Sequence, residues 1–185
     1  MSSAVPEGWS RKPLSDLLVV PPKTREVSPQ KIELLTVKLH GRGVVKSGKY
    51  PKPTANGRPY FRRFSGELLI GRQNLHNLGL GIVKSETDGL IASNAISSFT
   101  GKDGNVSFLH QLMSAEIFQH LVNNSSSGTG QKEISEKQIL QLHVTVPPLP
   151  EQKKIASILT SVDEVIENTQ KQIDKLQDFK KATMN

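Results

Sequence analysis

Residues 146–185 read VPPLPEQKKIASILTSVDEVIENTQKQIDKLQDFKKATMN, and this stretch decides the fold that we predict. It contains no Gly or Pro after Pro150, and these two residues interrupt a helix more strongly than any others. From residue 155 to residue 180, eight positions recur at alternating steps of four and three, which is the heptad period of a coiled coil. These positions are Ile155, Leu159, Val162, Ile166, Thr169, Ile173, Leu176 and Lys180. We therefore predict one long helix over residues 151–185 with an apolar seam along one side.

The length of this helix bears on how the chain assembles. Pro150 or the residues just before it can start the helix, and the acidic Glu151 suits the positive end of the helix dipole. At 1.5 Å per residue the helix is roughly 50 Å long, which is more than a small domain can cover. A helix packed only against its own domain is the alternative. We predict self-association through the apolar seam residues Ile155, Leu159, Val162, Ile166, Ile173 and Leu176.

Residues 1–150 carry short apolar runs separated by Gly, Pro, Asn and Asp, a pattern that predicts strands joined by turns. Apolar residues then recur at helical spacing over residues 108–122, and Ser135 is placed to cap a short helical turn. We predict strands at 67–73, 79–86, 89–99 and 143–146, shorter β segments within 32–39, 44–45 and 60–64, and a short helix or turn at 14–18. The predicted class is α+β: a mixed β-sheet domain with flanking helices, followed by one long C-terminal coiled-coil helix.

Positive charge is concentrated in the predicted β-sheet domain. The chain has 185 residues, 24 Lys and Arg against 17 Asp and Glu, and a formal net charge of +7. Residues 1–150 hold 18 basic and 11 acidic residues, whereas residues 151–185 hold six of each. Between Lys38 and Arg72, nine basic residues face a single acid, Glu67. This imbalance favours a polyanionic partner over a merely solvated surface.

Two loop segments have the composition of an anion-binding surface. In GRGVVKSGKYPKPTANGRPYFRRF, residues 41–64, basic and aromatic side chains alternate with Gly and Pro, which suits contact with phosphates and bases. In SGTGQKEIS, residues 127–135, glycines leave backbone N–H groups open to an anion, and Gln131 and Lys132 add donors. A plain surface turn is the alternative for the second segment. The first segment predicts nucleic-acid contact.

Several classes of function find no support in the sequence. The chain has no Cys, and its five His residues fall at no metal-ligand spacing, so we expect no metal site. It lacks a phosphate-binding Walker loop and a complete dinucleotide fingerprint, so we expect no cofactor and no catalytic site. No segment approaches the ~20 apolar residues of a membrane span. We expect no membrane insertion and a cytoplasmic location.

The order of the motifs matches a known family. VPEGW (5–9), SGELLIGR (65–72), IASNA (91–95), SGTGQKEIS and VPPLPEQKKIASIL (146–159) together resemble one half of the specificity subunit of type I restriction-modification systems. The resemblance implies a target-recognition domain over residues 1–150 and a spacer helix over 151–185. It also implies a non-catalytic subunit that binds double-stranded DNA and directs the methyltransferase and restriction subunits. The helix outer face and the PPLPEQ region would dock the methyltransferase subunit.

The implied DNA contacts are assigned by side-chain chemistry. A guanidinium can bind guanine or phosphate through two parallel hydrogen bonds, an amide can pair with adenine, and an ammonium neutralises phosphate. The guanidinium candidates are Arg58, Arg62, Arg63 and Arg72, the amide candidates Gln73 and Asn74, and the phosphate neighbours Lys46, Lys49 and Lys52. Gln131 and Lys132 complete the set.

The family generally has two such domains and two helices in each subunit, so this chain has half the expected length. One explanation is a shortened chain carrying the first half, which the ending KKATMN favours. The other is a natural half-subunit that forms a homodimer through the helix or pairs with a second half-subunit. A different class of function is also open: a coiled-coil assembly protein whose basic domain binds an acidic protein. A nuclease or methyltransferase acting alone is a third possibility, from which we expect neither cleavage nor methylation.

Overall fold

The computed structural model describes residues 5–52, 58–125 and 133–183. The described residues confirm the α+β class, with short strands, flanking helices and one long C-terminal helix. The strands are β1 (Ser10–Pro13), β2 (Leu18–Val19), β3 (Leu35–Val37), β4 (Val44–Lys46), β5 (Tyr60–Arg62), β6 (Leu68–Gly71), β7 (Leu80–Ile82), β8 (Ile91–Ser93), β9 (Ile96–Gly101) and β10 (His143–Val146). The helices are α1 (Leu14–Leu17), α2 (Val106–Ser114), α3 (Glu116–Ser125), α4 (Glu136–Gln141) and α5 (Leu149–Thr183).

An antiparallel sheet in the order β2-β9-β6-β7 forms the centre of the domain. Leu68 pairs with Phe99 across β6 and β9, and both side chains are fully buried. Alternation along β6 sends Leu68 and Ile70 to the main core, while Leu69 joins a second, smaller core. The sheet is therefore covered on both faces.

Three two-stranded ladders surround this sheet: β1 with β10, β3 with β4, and β5 with β8. All named pairs are antiparallel, and a parallel bridge joins Leu34 to Ile91. Gly81 in β7 lies directly against the backbone just before β4. A Cβ at this position would lie 2.7 Å from the Cα of Gly43, which is too close for two carbon atoms. Glycine at 81 thus lets the β3–β4 ladder pack onto the central sheet.

Two details differ from the predicted elements. The stretch 89–99 forms two strands, β8 and β9, with a turn at Asn94 and Ala95 between them. The single helix predicted over 108–122 is wrong, because Ala115 adopts extended dihedral angles and separates α2 from α3. The Gln119 side chain donates to the Met113 carbonyl at 2.8 Å, and this bond satisfies an acceptor left free at the end of α2.

The long helix starts at Leu149, two residues before the predicted range of 151–185. The predicted cap of α4 is confirmed, because Ser135 and Gln138 form a reciprocal capping box. The buried residues of α5 are Gln152 and Ala156, both in its first turns. Every described position from residue 157 onward is exposed. The helix is therefore anchored to the domain at one end and extends away from it.

Candidate nucleic-acid interface

A cleft with a volume of about 170 Å³ lies where β3 meets the end of β6 and the turn between β8 and β9. We call it the Arg72 cleft. Three predicted contact residues, Arg72, Gln73 and Asn74, line it together. The Arg72 N–H donates to the Ala95 carbonyl at 3.3 Å, and this bond holds the two turns side by side. The remaining lining residues are Leu35, Thr36, Val37, Gly71, Ala95 and Ile96.

The β3–β4 ladder brings the predicted lysines to the border of the Arg72 cleft. Lys46 pairs in register with Leu35, a cleft residue, and is exposed. The Leu34 N–H donates to the Lys49 carbonyl at 2.9 Å, which fixes the backbone after β4. Lys52 is also exposed and follows the buried Pro51 on the same segment. Within the described residues, these three lysines form no ion pair, so their charges are available to an external anion.

Arg58 reaches the same border through the β5–β8 ladder. Tyr60 pairs with Ser93, next to the turn that lines the Arg72 cleft. Arg58 precedes Tyr60 by two residues, is exposed, and has no ion pair within the part of the chain that the structure describes. Lys46 thus ends β4, Lys49 lies in the segment after it and Arg58 precedes β5, and both ladders are joined to elements that line the cleft.

Arg62 is held by Glu26, an acid from outside the basic stretch of residues 38–72. Its Nε and Nη2 atoms lie 2.8 Å and 2.7 Å from Oε2 of Glu26. Glu26 also accepts from the Ser28 N–H at 2.9 Å. This backbone hydrogen bond, with the nearby Arg62 guanidinium, lowers the pKa of Glu26, so the carboxylate stays ionised. The ion pair between Arg62 and Glu26 therefore connects β5 with the loop that contains Glu26.

Arg72 is paired in the same way. Its Nε and Nη2 atoms both lie 2.9 Å from Oε1 of Glu133, and Gln73 donates to Oε2 of the same carboxylate at 3.4 Å. The Ile134 N–H donates to the Arg72 carbonyl at 3.2 Å, which keeps Glu133 at the rim of the cleft. An acidic side chain therefore occupies the donors of two predicted contact residues. Neither this pair nor the one with Glu26 is visible in the charge count between Lys38 and Arg72.

Arg63 differs from the other candidates because it is only 3% exposed. Its Nη2 atom donates to the Ile96 carbonyl at 2.7 Å, and its guanidinium lies 5.8 Å from the centre of the Phe61 ring. Burial lowers the pKa of Arg63, while the carboxylates of Glu67 and Glu136 oppose that shift. We therefore leave Arg63 out of the interface that we propose, since it supports the end of β5 from inside the fold.

Gln131 and Lys132 lie outside the described residues. Among the described ones, no group of His, Asp or Glu side chains is arranged to hold a metal ion. No helix in the described part of the chain has both the length and the apolar character to cross a membrane.

The seam of α5 presents a row of exposed apolar side chains. Ile155 is half-buried against the main core, whereas the later seam residues lie in solvent. A second exposed apolar row runs beside the seam at Ile158, Val165 and Phe179. The exposed fractions of the later seam residues are 38% for Leu159, 49% for Val162, 61% for Ile166, 42% for Ile173 and 68% for Leu176.

The side of α5 opposite the second row faces its own domain. Asp163 accepts a hydrogen bond from the Gln111 amide of α2 at 2.7 Å, and Glu167 lies 3.6 Å from the Lys84 ammonium. These polar contacts follow the buried anchor at Gln152 and Ala156. The helix thus has one face directed to the domain and one apolar face directed away from it.

The family model described as type I restriction modification DNA specificity domain matches residues 6–178. Two curated relatives come from Methanocaldococcus jannaschii. The type I restriction enzyme MjaVIII specificity subunit is 31% identical over 120 residues, covering 56% of this chain and 28% of the relative. The putative type I restriction enzyme MjaX specificity subunit is 34% identical over 76 residues, covering 41% of this chain and 17% of the relative. The matches thus span less than a third of each relative.

Solved structures share the fold at low sequence identity. The HsdS subunit from Thermoanaerobacter tengcongensis matches with a TM-score of 0.67 and 16% identity, over 91% of this chain and 45% of that one. The type I restriction-modification S subunit from M. genitalium matches with a TM-score of 0.58 and 16% identity, over 86% of this chain and 40% of that one. This chain corresponds to under half of each solved chain.

Proposed function

This chain belongs to the family of type I restriction modification DNA specificity domains, and on that premise we propose that it selects the DNA sequence on which other subunits act. The observation that carries the proposal is the family match, which extends from the amino-terminal segment into α5. The chain itself would bind duplex DNA in the cytoplasm and perform no chemistry. Methyl transfer and cleavage would belong to the methyltransferase and restriction subunits.

The surface around the Arg72 cleft is the best candidate for the DNA-binding face. Lys46, Lys49, Lys52 and Arg58 have no acidic partner among the described residues, so they would neutralise phosphates and fix the register of the domain. Contacts to base edges require donors and acceptors that can reach into a groove of the duplex. Gln73 and Asn74 in the cleft have that chemistry, and an amide can pair with adenine in the major groove.

The helix would join two such domains. In heptad terms Leu159, Ile166 and Ile173 occupy a positions, and Val162 and Leu176 occupy d positions. An antiparallel pair stacks each a layer on a d layer, so Leu159 meets Leu176 of the second copy while Val162 meets its Ile173. The second copy is either another molecule of this chain or a related half-subunit.

The flanking positions favour the antiparallel arrangement. Ile158, Val165 and Phe179 are exposed g positions, whereas Ala156 and Asp163 are e positions turned to the domain. A parallel pair would place the g row against the e row of the partner, so apolar groups would meet polar ones. In the antiparallel pair the g rows meet each other, with Ile158 near Phe179 of the second copy. The side away from both domains then keeps an apolar strip to which the methyltransferase subunit would dock.

Sequence selection from a pool of duplexes with a randomised segment tests the proposed function. The chain is mixed with the pool at low salt, bound duplexes are recovered and sequenced, and we expect one motif to be enriched. If two copies pair, the motif should occur twice, in inverted orientation, because a two-fold axis relates the readers.

Salt dependence separates phosphate contact from other binding. Log affinity falls with log salt by about 0.9 for every phosphate neutralised. The triple variant K46Q/K49Q/K52Q should have a shallower slope by about one for each lost contact. The matched control K153Q/K154Q/K175Q removes three exposed charges from α5, outside the proposed face, and should leave the slope unchanged. Absence of DNA binding at low salt, with a folded dimer present, would instead favour an assembly protein that binds an acidic partner.

A further inference from the structure

Among the described residues of α5, Gln152 is the one polar residue that is buried, with 2% of its surface exposed. Both polar atoms of its amide form a hydrogen bond. Oε1 accepts from the Asn105 N–H at 3.0 Å, and Nε2 donates to the Pro147 carbonyl at 2.9 Å. The residue therefore connects three segments: the start of α2, the link after β10, and the first turns of α5.

Both partners of Gln152 are backbone atoms at positions where the chain changes structure. Asn105 is the N-cap of α2, and its own side chain accepts from the Phe108 N–H at 2.8 Å. Pro147 follows the last residue of β10 and has no N–H of its own. A glutamine places a donor nitrogen and an acceptor oxygen side by side at the end of one side chain, and these two backbone groups need one of each. A glutamate has the same shape but would set a carboxylate oxygen against the Pro147 carbonyl.

The other polar contacts that hold α5 to the domain are weaker restraints. The pair between Lys84 and Glu167 is mostly exposed and lies at 3.6 Å, and the bond between Gln111 and Asp163 is also exposed. Packing of Ala156 and Ile155 excludes water but allows a helix to rotate or tilt. A buried amide with both atoms bonded fixes direction as well as distance.

We propose that Gln152 is a positioning residue that sets the angle between the DNA-binding domain and α5. The consequence for DNA rests on the proposed function, whereas the geometry does not. About 27 residues of α5 lie beyond Ala156, roughly 40 Å of helix, so a tilt of about 10° at the anchor moves the far end by about 7 Å. That displacement corresponds to about two base pairs along the duplex axis. Gln152 would thereby determine which spacing between two half-sites the paired readers accept.

A distance measurement tests the angle directly. The chain contains no Cys, so the substitutions D16C and K175C give two unique spin-label sites, one in α1 and one near the end of α5. Labelled chains are diluted tenfold into unlabelled chain, so that distances within one molecule dominate. We expect one narrow distribution for the otherwise unchanged chain and for the exposed neighbour control K153Q, and a distribution at least twice as broad, or shifted, for Q152M and Q152E.

Two further readouts separate an angular role from a merely structural one. On duplexes carrying one half-site, Q152M should keep its affinity within about twofold. On duplexes carrying two half-sites at varied spacing, it should lose the preference for one spacing. If the unchanged chain binds no DNA but Q152M still broadens the distance distribution, the proposed function fails and the role of Gln152 stands.

Hydrogen exchange keeps the proposal testable even if both variants fail to fold. In the unchanged chain the Asn105 N–H should exchange as slowly as the amides inside α2, because Gln152 covers it. Fast exchange at Asn105 would overturn the proposal. So would narrow, unshifted distance distributions in folded Q152M and Q152E, whatever their melting temperatures.

Discussion

The Arg72 guanidinium contacts the Glu133 carboxylate through both Nε and Nη2, each 2.9 Å from Oε1. This pair spans 61 residues of sequence and lies at the rim of the cleft that we propose as the DNA-binding face. The carboxylate holds the guanidinium in one orientation, and it also presents negative charge where a phosphate would approach. On the proposed DNA-binding face, Glu133 would therefore compete with DNA for the donors of Arg72.

Replacing Glu133 with Gln should strengthen DNA binding. The E133Q variant removes one negative charge from the rim and frees Arg72, and exposed ion pairs are worth up to about 1 kcal/mol, so we expect roughly a fivefold gain in affinity at low salt. Fluorescence anisotropy with a labelled duplex measures the change. The gain should shrink as salt is added, since the effect is electrostatic.

The control for this prediction is E116Q, which removes an exposed carboxylate from α3. It should change affinity by less than twofold. Equal gains in both variants would mean that net charge alone matters, and a loss of affinity in E133Q would show that the orientation of Arg72 matters more than its freedom.

Charges placed in the seam should separate the helices. L159K and I166K put ammonium groups into layers that the antiparallel pair buries, so the double variant should sediment as a monomer. S161K/N168K adds the same charges at exposed positions outside the seam and should retain the mass of the unchanged chain. A dimer that persists in L159K/I166K would remove the coiled-coil proposal.

The stability of the domain should depend most on the face of the sheet that includes Phe99. This side chain is fully buried between β6 and the helices, and truncating a buried Phe to Ala costs about 3–5 kcal/mol. Urea denaturation of F99A should show that loss in the free energy of unfolding. I117A alters a side chain that is 75% exposed and should cost less than about 0.5 kcal/mol.

Acid should destabilise the contact between α2 and α5 through His110. Burial lowers the pKa of His110, and the Asp163 carboxylate opposes that shift only in part. The unfolded chain therefore binds a proton more readily than the folded one, and stability is lost as pH falls below the ordinary histidine value of about 6.5. The Glu164 and Glu167 carboxylates and the Lys84 ammonium line the same cavity as His110.

Urea denaturation at several pH values measures this effect. H110Q should flatten the decline in stability between neutral and mildly acidic pH, because the variant has no group to titrate there. H120Q changes a mostly exposed histidine and should leave the decline as it is. A decline of equal steepness in H110Q would assign it to other groups.

Elements that depend on local pattern are predictable from the sequence. The heptad steps and the absence of Gly and Pro identified α5, and its start at Leu149 lies within two residues of the predicted one. The Ser135 cap was equally local, since its partner Gln138 is three residues away. The break between α2 and α3 was not predictable, because the apolar spacing continues through Ala115 although its backbone is extended.

Contacts between distant segments could not be predicted. The charge count placed Arg62 and Arg72 in a strongly basic stretch, yet their acidic partners Glu26 and Glu133 come from outside it. The sequence predicts Arg63 to be one more surface cation, whereas the packing of the strands buries it. The sequence therefore indicates the chemistry of the interface, while the fold decides which charges are free.

The ladder between β1 and β10 sets His143 opposite Pro13, so the segment from residue 14 to residue 142 begins and ends at neighbouring points. The intervening segment therefore leaves this two-stranded ladder and returns to it. A domain that recognises another ligand could therefore be inserted between β1 and β10 while these two strands and α5 stay as they are.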